Sequence, residues 1–230
     1  MMKKSEPRIF PLGDNALTVS FGNEISPELN REVLDLADHF AKKPFPGLIE
    51  LVPCYSSLTV FYDIGLVRKN SFEFSSAFDA VRKKAEKALE NMENKKPTPN
   101  RLLEIPVSFD PGVGPDLEDI TRKKNLSTGE FLKIFTSNTY RVYMLGFLPG
   151  FAYMGEVDPR IAFPRKKTPR KRVPAGSVGI AGSQTGIYPI ESPGGWQIIG
   201  RTEIKLFSPE KEDPTFFQCG DLVKFYDSNR

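Results

Sequence analysis

The residues best suited to binding a small molecule are concentrated between positions 140 and 202. Two glycine-rich clusters, 146–151 and 192–196, share this span with a basic run at 165–172 and with Trp196, the only tryptophan of the chain. Glycine lets the backbone approach a ligand closely, and inside a helix or strand it is less favourable than alanine by about 0.5–1 kcal/mol. The clusters therefore predict a binding site, although the corners of a glycine-rich β-barrel would require the same residues.

Arginines in and near this span have the chemistry to hold an anion, because a guanidinium can bind a carboxylate or phosphate through two parallel hydrogen bonds. These candidates are Arg165, Arg170, Arg172 and Arg201. The backbone N–H groups of Gly194 and Gly195 can face the same anion. A solvated basic loop is the alternative explanation for the run. The sequence contains no obvious nucleophile–base pair, so we assign no catalytic residue and favour a site that is shared with another chain.

Several common kinds of site are excluded by residue type. His39 is the only histidine, which rules out histidine-based triads and metal sites with several histidines. Cys54 and Cys219 lack the neighbours of a metal or redox motif, and a reducing compartment would leave both as thiols. The glycine-rich stretch 176–182 has no helix after it, so it does not match a phosphate or dinucleotide cradle. We predict no metal site in this chain.

Composition predicts an ordinary water-soluble protein of two domains. The chain has 230 residues, of which 39% are hydrophobic and 27% charged, and its formal net charge is +3. This charge is too small to imply nucleic-acid binding. No apolar run approaches the roughly 18 residues of a membrane span, and the N-terminus lacks the apolar core of a signal peptide. We therefore expect a cytoplasmic protein that does not enter membranes.

The first part of the chain predicts a small α+β domain, 1–96, compatible with a split βαβ arrangement. Short strands are expected within 9–21, at 48–52 and at 57–62. Ser26 and Pro27 favour a helix start, as N-cap and first helical residue, and this helix should end before Pro44. A second helix is expected after Ser71, because apolar residues from Phe74 to Met92 recur every three or four positions. Two prolines and the lack of large apolar residues at 95–100 indicate a linker.

The second part, 101–230, predicts a mainly-β domain. A strand is expected at 103–107, followed by a short helix that Asp116 caps. Ser127 and Glu130 form a capping-box pattern for another helix, which reaches about Phe135. The segments after it are short, β-prone and separated by glycine or proline, which is typical of a barrel or sandwich. These strands are predicted at 140–145, 176–181, 186–190, 196–200, 203–207 and 222–226.

The order of motifs in the second part resembles the 5-oxoprolinase B-subunit family, which includes the kinase inhibitor of sporulation and allophanate-hydrolase-subunit-1-like proteins. The motifs run Gly-Phe-Leu-Pro-Gly-Phe-Ala-Tyr, Val-Pro-Ala-Gly-Ser-Val and Ser-Pro-Gly-Gly-Trp, with Gly-Arg-Thr after them. The matching positions are 146–153, 164–165, 169–170, 173–178, 184–189, 192–196, 200–202 and 220–221. One departure is Phe135, which stands where we expect the family to carry a histidine.

The resemblance implies an α+β N-terminal domain followed by a cyclophilin-like β-barrel domain. It implies that the chain works with a larger, homologous C subunit and a separate A subunit in an ATP-dependent hydrolase that opens 5-oxoproline to L-glutamate. ATP, with Mg²⁺, would act at the level of the complex, and the chain alone would be inactive. An inhibitor of a sensor histidine kinase is the alternative, because such relatives share the same motifs. Prolyl isomerase activity would rest on fold analogy alone.

Taken together, the motifs and the residue chemistry predict a set of substrate-binding or interface residues. Packing in the barrel core is the alternative role for the aromatic members. The set is Phe147, Phe151, Tyr153, Arg165, Arg170, Arg172, Ser192, Gly194, Gly195, Trp196, Arg201 and Thr202.

Overall fold

The structure, a computed structural model, describes residues 6–92 and 100–229. Contacts between residues divide the chain into two compact units, Met1–Pro99 and Asn100–Arg230. Apart from Asn100, the predicted linker at 95–100 lies outside the described residues. None of the described helices is both long enough and apolar enough to span a membrane.

The first unit is built on a four-stranded antiparallel sheet whose strand order is β1-β2-β4-β3. Its strands are β1 (Arg8–Pro11), β2 (Ala16–Ser20), β3 (Leu48–Pro53) and β4 (Ser57–Tyr62), and its helices are α1 (Pro27–Lys42), α2 (Ile64–Asn70) and α3 (Ala77–Glu90). Leu58, Val60 and Tyr62 alternate along β4 and are buried, which places them on the face that the helices cover. The strands predicted in this unit are all present, and Ser26 caps α1 with its side chain.

The second helix of this unit begins later than the sequence pattern predicts. Ser76 caps α3 by accepting a hydrogen bond from the Asp79 N–H, so the helix starts at Ala77 and not soon after Ser71. Phe74 keeps the helical spacing but packs against the core from the preceding turn. The short helix α2, capped by Asp63, is not predicted from the sequence because seven residues are too few to show an apolar periodicity.

The second unit is built on a seven-stranded sheet that is nearly closed into a barrel. Its strands are β5 (Leu102–Val107), β6 (Tyr140–Leu145), β7 (Ala152–Gly155), β9 (Ser177–Ala181), β10 (Gln184–Ile187), β12 (Gln197–Arg201) and β13 (Leu222–Asp227). They lie in the order β12-β9-β10-β7-β6-β13-β5, and only β5 and β13 are parallel neighbours. The two end strands approach each other where Ser108 and Arg201 exchange backbone hydrogen bonds of 2.8 and 2.9 Å. This closure confirms a mainly-β barrel-like unit.

Two further strands of this unit are β8 (Arg170–Val173) and β11 (Ser192–Gly194), and its helices are α4 (Leu117–Lys124) and α5 (Thr128–Ser137). Ser127 and Glu130 form the predicted capping box of α5. The strands β8 and β11 pair with each other in a separate two-stranded sheet.

One strand prediction in this unit is wrong, and three observed strands were not predicted. The segment 203–207 forms no strand, and only Phe207 makes an isolated bridge, to Thr215. The strands β7, β8 and β11 are present without having been predicted. β8 reads Arg-Lys-Arg-Val and β11 reads Ser-Pro-Gly, so neither shows the alternation of apolar and polar residues that marks a half-buried strand. Their pairing with each other depends on the surrounding fold.

Candidate functional site

One pocket of the second unit gathers half of the predicted site residues. It has a volume of about 230 Å³. The predicted residues that line it are Phe147, Tyr153, Arg165, Gly194, Gly195 and Trp196. Pro169, Tyr188 and Pro193 also line it and are not among the predicted site residues. All three lie inside the sequence motifs (169–170, 184–189 and 192–196), which was the available signal for them.

Phe147 forms the exposed rim of the pocket. It has a positive φ of 69°, which only one other non-glycine residue among those described shares, and which strains an L-residue that carries a large side chain. The residue is 62% exposed, and its ring makes edge contacts with Phe151 and Tyr188, with centroids 5.6 and 6.5 Å away. The loop is closed by a backbone hydrogen bond of 3.1 Å from Gly146 to Phe151. An exposed aromatic ring held in a strained conformation is typical of a functional position.

Tyr188 and Trp196, which line the pocket, belong to a buried aromatic cluster whose third member is Phe151. The Phe151 centroid lies 5.3 Å from that of Tyr188 and 5.4 Å from that of Trp196, both edge to face. Phe151 itself is buried and is not among the residues that line the pocket. Gly194 packs directly on Tyr188, because an added Cβ would lie 2.3 Å from the Tyr188 hydroxyl oxygen.

Arg165 is the cation of the pocket wall. Its guanidinium carbon lies 5.7 Å from the centroid of the Trp196 ring, a distance at which a cation is attracted to the ring face. The loop on each side of it is fixed by hydrogen bonds. The Gln197 side chain donates to the Pro164 carbonyl over 2.9 Å, and the Lys166 N–H donates to the Gly195 carbonyl over 2.8 Å.

Asp116 anchors the other end of this basic loop. Its Oδ1 accepts hydrogen bonds from Arg170 Nη2 at 2.6 Å and from Lys166 Nζ at 3.0 Å. Its Oδ2 accepts one from the Ile198 N–H at 2.6 Å. The predicted capping role is therefore wrong in part: Asp116 occupies the N-cap position of α4, but its side chain makes no capping hydrogen bond. The carboxylate instead joins the start of α4, the basic loop and β12.

The electrostatics of the site follow from these contacts. Burial alone would raise the pKa of Asp116, but the hydrogen bonds from Arg170, the Ile198 N–H and Lys166 outweigh it and hold this pKa below its ordinary value. Burial raises the pKa of Tyr188, while a hydrogen bond with the Trp196 backbone and the charges of Arg165 and Arg170 offset part of that rise. Tyr188 therefore keeps its proton at neutral pH, beside a positive potential.

The other predicted arginines do not line the pocket. Arg170 is held by Asp116, and its buried Nη1 finds no hydrogen-bond acceptor among the described residues. Arg172 forms an exposed ion pair with Glu191 at 2.7 Å. The Nε of Arg201 lies 3.6 Å from Glu203.

Ser192 and Thr202 also lie outside the lining. The Ser192 hydroxyl donates to the Pro193 carbonyl. The Thr202 N–H donates to the Gly176 carbonyl over 3.0 Å. Both side chains are buried, and they support the backbone near the pocket.

Phe135, at the expected histidine position, lies in the core of the second unit. Its ring is fully buried and stacks on Phe225 with centroids 5.1 Å apart, and the Tyr140 hydroxyl donates to its carbonyl. It is not among the residues that line the pocket. The residue type at this position therefore affects the packing of the core and does not add a side chain to the pocket. Among the described residues, no group of three or more His, Cys, Asp or Glu side chains could hold a metal ion.

An aromatic pocket with one arginine in its wall, set in a barrel-like sheet, has the features that small-molecule sites commonly show. A family model described as "Carboxyltransferase domain, subdomain C and D" matches residues 7–217, and the chain belongs to this family. It is 46% identical over 219 residues to a protein from Bacillus subtilis that is named as the B subunit of 5-oxoprolinase, covering 95% of this chain and 91% of the relative. The resemblance to that family, inferred from the motifs, is confirmed.

Two further relatives agree with this membership. A protein from Escherichia coli O157:H7 with the same name is 34% identical, over 95% of this chain and 94% of its own length. The solved structure of TTHA0988 is 36% identical with a TM-score of 0.77, and the match covers 93% of this chain. The present chain spans only 39% of the TTHA0988 chain, so in that relative the same fold is continuous with further polypeptide.

Proposed function

We propose that this chain is the B subunit of an ATP-dependent 5-oxoprolinase and acts with the C and A subunits to hydrolyse 5-oxoproline to L-glutamate. The observation that carries the proposal is that relatives matched over nearly their whole length carry the name of this subunit. Several of the motifs that carry the resemblance, among them 146–153 and 192–196, also contribute residues to one pocket with an arginine and aromatic walls.

The lining of the pocket supports a role that is completed by partners. Among the described residues that line it there is no carboxylate, histidine, cysteine or serine. Apart from the phenols of Tyr153 and Tyr188, the lining therefore supplies no general base or nucleophile of the usual kinds. Opening a lactam requires a water molecule to attack the carbonyl carbon and a proton to reach the departing nitrogen. Partner subunits supply the groups that activate this water molecule and deliver this proton, so the isolated chain is inactive.

The C subunit is the expected stable partner. The continuity of this fold with further polypeptide in TTHA0988 supports a second protein that works beside it. ATP, with Mg²⁺, belongs to the complex and not to this pocket, because about 230 Å³ is less than the roughly 300–1,000 Å³ of pockets for drug-sized ligands. The cytoplasm, where ATP is available, is the proposed location. The second unit is proposed to be a cyclophilin-like barrel.

Inhibition of a sensor histidine kinase is the weaker alternative, because the relatives matched over nearly their whole length carry the name of the enzyme component. The test is reconstitution. Mixing the purified chain with the C and A subunits should give ATP-dependent formation of glutamate from 5-oxoproline, while the chain alone or a mixture without it should give none. A complete mixture without turnover, or full turnover by the chain alone, contradicts the proposal.

A further inference from the structure

We propose that the pocket of this chain by itself binds a small carboxylic acid with a flat ring, with the carboxylate held by Arg165 and the ring packed between Phe147 and Trp196. The geometry points to this class of ligand independently of the relatives. Only the choice of 5-oxoproline as the particular acid rests on the proposed function.

The charges around the pocket select an anion and single out Arg165. The neighbouring cations Lys166 and Arg170 are both bound by Asp116. No carboxylate among the described residues forms an ion pair with Arg165, which is the only charged side chain in the lining. Its guanidinium carbon lies 5.7 Å from the centroid of the Trp196 ring, and a guanidinium held over an aromatic face can still offer its N–H groups to a carboxylate.

The apolar surfaces select a flat ring. Phe147 is 62% exposed and lines the pocket together with Trp196, Pro169 and Pro193, which supply further apolar surface. A five-membered ring placed here would cover apolar surface that is otherwise wet, which stabilises the complex by about 25 cal/mol per Å². A ligand without a ring would leave these surfaces uncovered.

The pocket is already fixed without a partner. Tyr188 cannot move toward Gly194, where there is no room even for a Cβ, and Asp116, Gln197 and Gly195 hold the basic loop at both ends. A site that needs no rearrangement loses little free energy in ordering its residues when it binds. Binding should therefore be measurable on the isolated chain.

Trp196 gives a direct readout, because it is the only tryptophan and lies in the pocket. Titration of the isolated chain with L-5-oxoproline should change its fluorescence saturably and release or absorb heat in calorimetry. The probe 2-pyrrolidinone has the ring without the carboxylate, and acetate has the carboxylate without the ring. Both should bind at least about tenfold more weakly, since each lacks one of the two interactions.

The variant Arg165→Gln should weaken 5-oxoproline binding at least about tenfold, and Arg165→Lys should restore it only in part, because lysine lacks the planar fork. Arg172→Gln is the matched control. It removes the same charge from an arginine whose partner, Glu191, is exposed, so its affinity should equal that of the wild type. Circular dichroism and the melting temperature establish that each variant is folded.

The outcomes separate this inference from the proposed function. Absence of both the fluorescence and the calorimetric response at millimolar 5-oxoproline overturns the pocket assignment, as does equal affinity in Arg165→Gln or for 2-pyrrolidinone. If the chain alone binds nothing while the complete mixture with the C and A subunits turns over, the pocket assignment fails and the proposed function stands. If the pocket binds 5-oxoproline through Arg165 while the complete mixture is inactive, the pocket assignment stands and the proposed function fails.

Discussion

Phe147 and Asp116 show how single residues prepare the pocket. Phe147 keeps a strained backbone conformation with φ of 69°, which costs an L-residue about 1–2 kcal/mol. This conformation belongs to an exposed residue of the pocket lining. Asp116 acts differently. It is not among the residues that line the pocket, but its Oδ1 binds two cations of the basic loop, Lys166 and Arg170. It is a positioning residue for the site.

The substitution Asp116→Asn should destabilise the second unit by about 3 kcal/mol at pH 7, because it leaves the partly buried Arg170 and Lys166 without their counter-charge. The loss should depend on pH in a definite direction. The pKa of Asp116 is lowered in the folded state, so the charged carboxylate stabilises the fold above the unfolded-state pKa of about 3.9. This contribution falls as the pH drops through the folded-state pKa.

Urea unfolding followed by Trp196 fluorescence, at pH 7 and at several values below pH 4, measures this difference. Wild type and Asp116→Asn should converge as the solution becomes acidic. Asp119→Asn is the control, since Asp119 also has a lowered pKa and pairs with two basic residues but lies on the exposed surface of α4. A loss in Asp116→Asn that is independent of pH, or equal to the loss in Asp119→Asn, would show that the carboxylate does not anchor the loop.

At the scale of elements, the pairing of β8 with β11 builds one side of the pocket. Gly194 of β11 lies opposite Arg170 of β8 in this pair. The strand β8, whose Arg170 is bound by Asp116, therefore also places Gly194 against Tyr188. The carbonyl of the following residue, Gly195, accepts a hydrogen bond from the Lys166 N–H. The two adjacent glycines differ in what their surroundings require. Position 194 must be glycine because the Tyr188 side chain leaves no room for a Cβ, whereas nothing in the surroundings of Gly195 explains why it is glycine.

The pair Gly194→Ala and Gly195→Ala tests this difference. A Cβ at Gly194 would lie 2.3 Å from the Tyr188 hydroxyl, whereas a Cβ at Gly195 would meet its nearest atom, in Pro169, at 3.6 Å. Overpacking at Gly194 should destabilise the unit by about 1–3 kcal/mol, and Gly195→Ala should stay within about 0.5 kcal/mol of the wild type. Melting temperature and Trp196 emission measure both. Equal tolerance of the two substitutions would mean that Tyr188 is not fixed in place.

The elements also show what can and cannot be predicted from the sequence. Helix starts with a polar cap, such as Ser26 and the Ser127–Glu130 box, are predicted correctly because the signal is local. The side-chain role of Asp116 is predicted wrongly for the same reason: an aspartate before a helix is explained by capping, and nothing local reveals that its oxygens face Lys166, Arg170 and Ile198 instead. Residue type identifies four anion-binding candidates, but the partners that occupy Arg170 and Arg172 come from distant parts of the chain.

At the scale of the whole molecule, each unit has its own sheet and its own hydrophobic core. One buried cluster is drawn only from residues between Leu17 and Ala88. The other two clusters are drawn only from residues between Ile105 and Phe225. A unit that buries its own apolar surface and completes its own backbone hydrogen bonds meets the requirements for folding alone. The family model covers parts of both units, since it matches residues 7–217.

The two units should therefore unfold separately, and the fragments 1–99 and 100–230 should each fold in isolation. Full-length protein should show two urea transitions by far-ultraviolet circular dichroism, of which Trp196 fluorescence follows only that of the second unit. Fragment 100–230 should retain the native Trp196 emission and bind 5-oxoproline as the full chain does, because every residue of the pocket lies within it. A single coincident transition by both probes, or an unfolded fragment 100–230, would show that the barrel depends on the first unit for its stability.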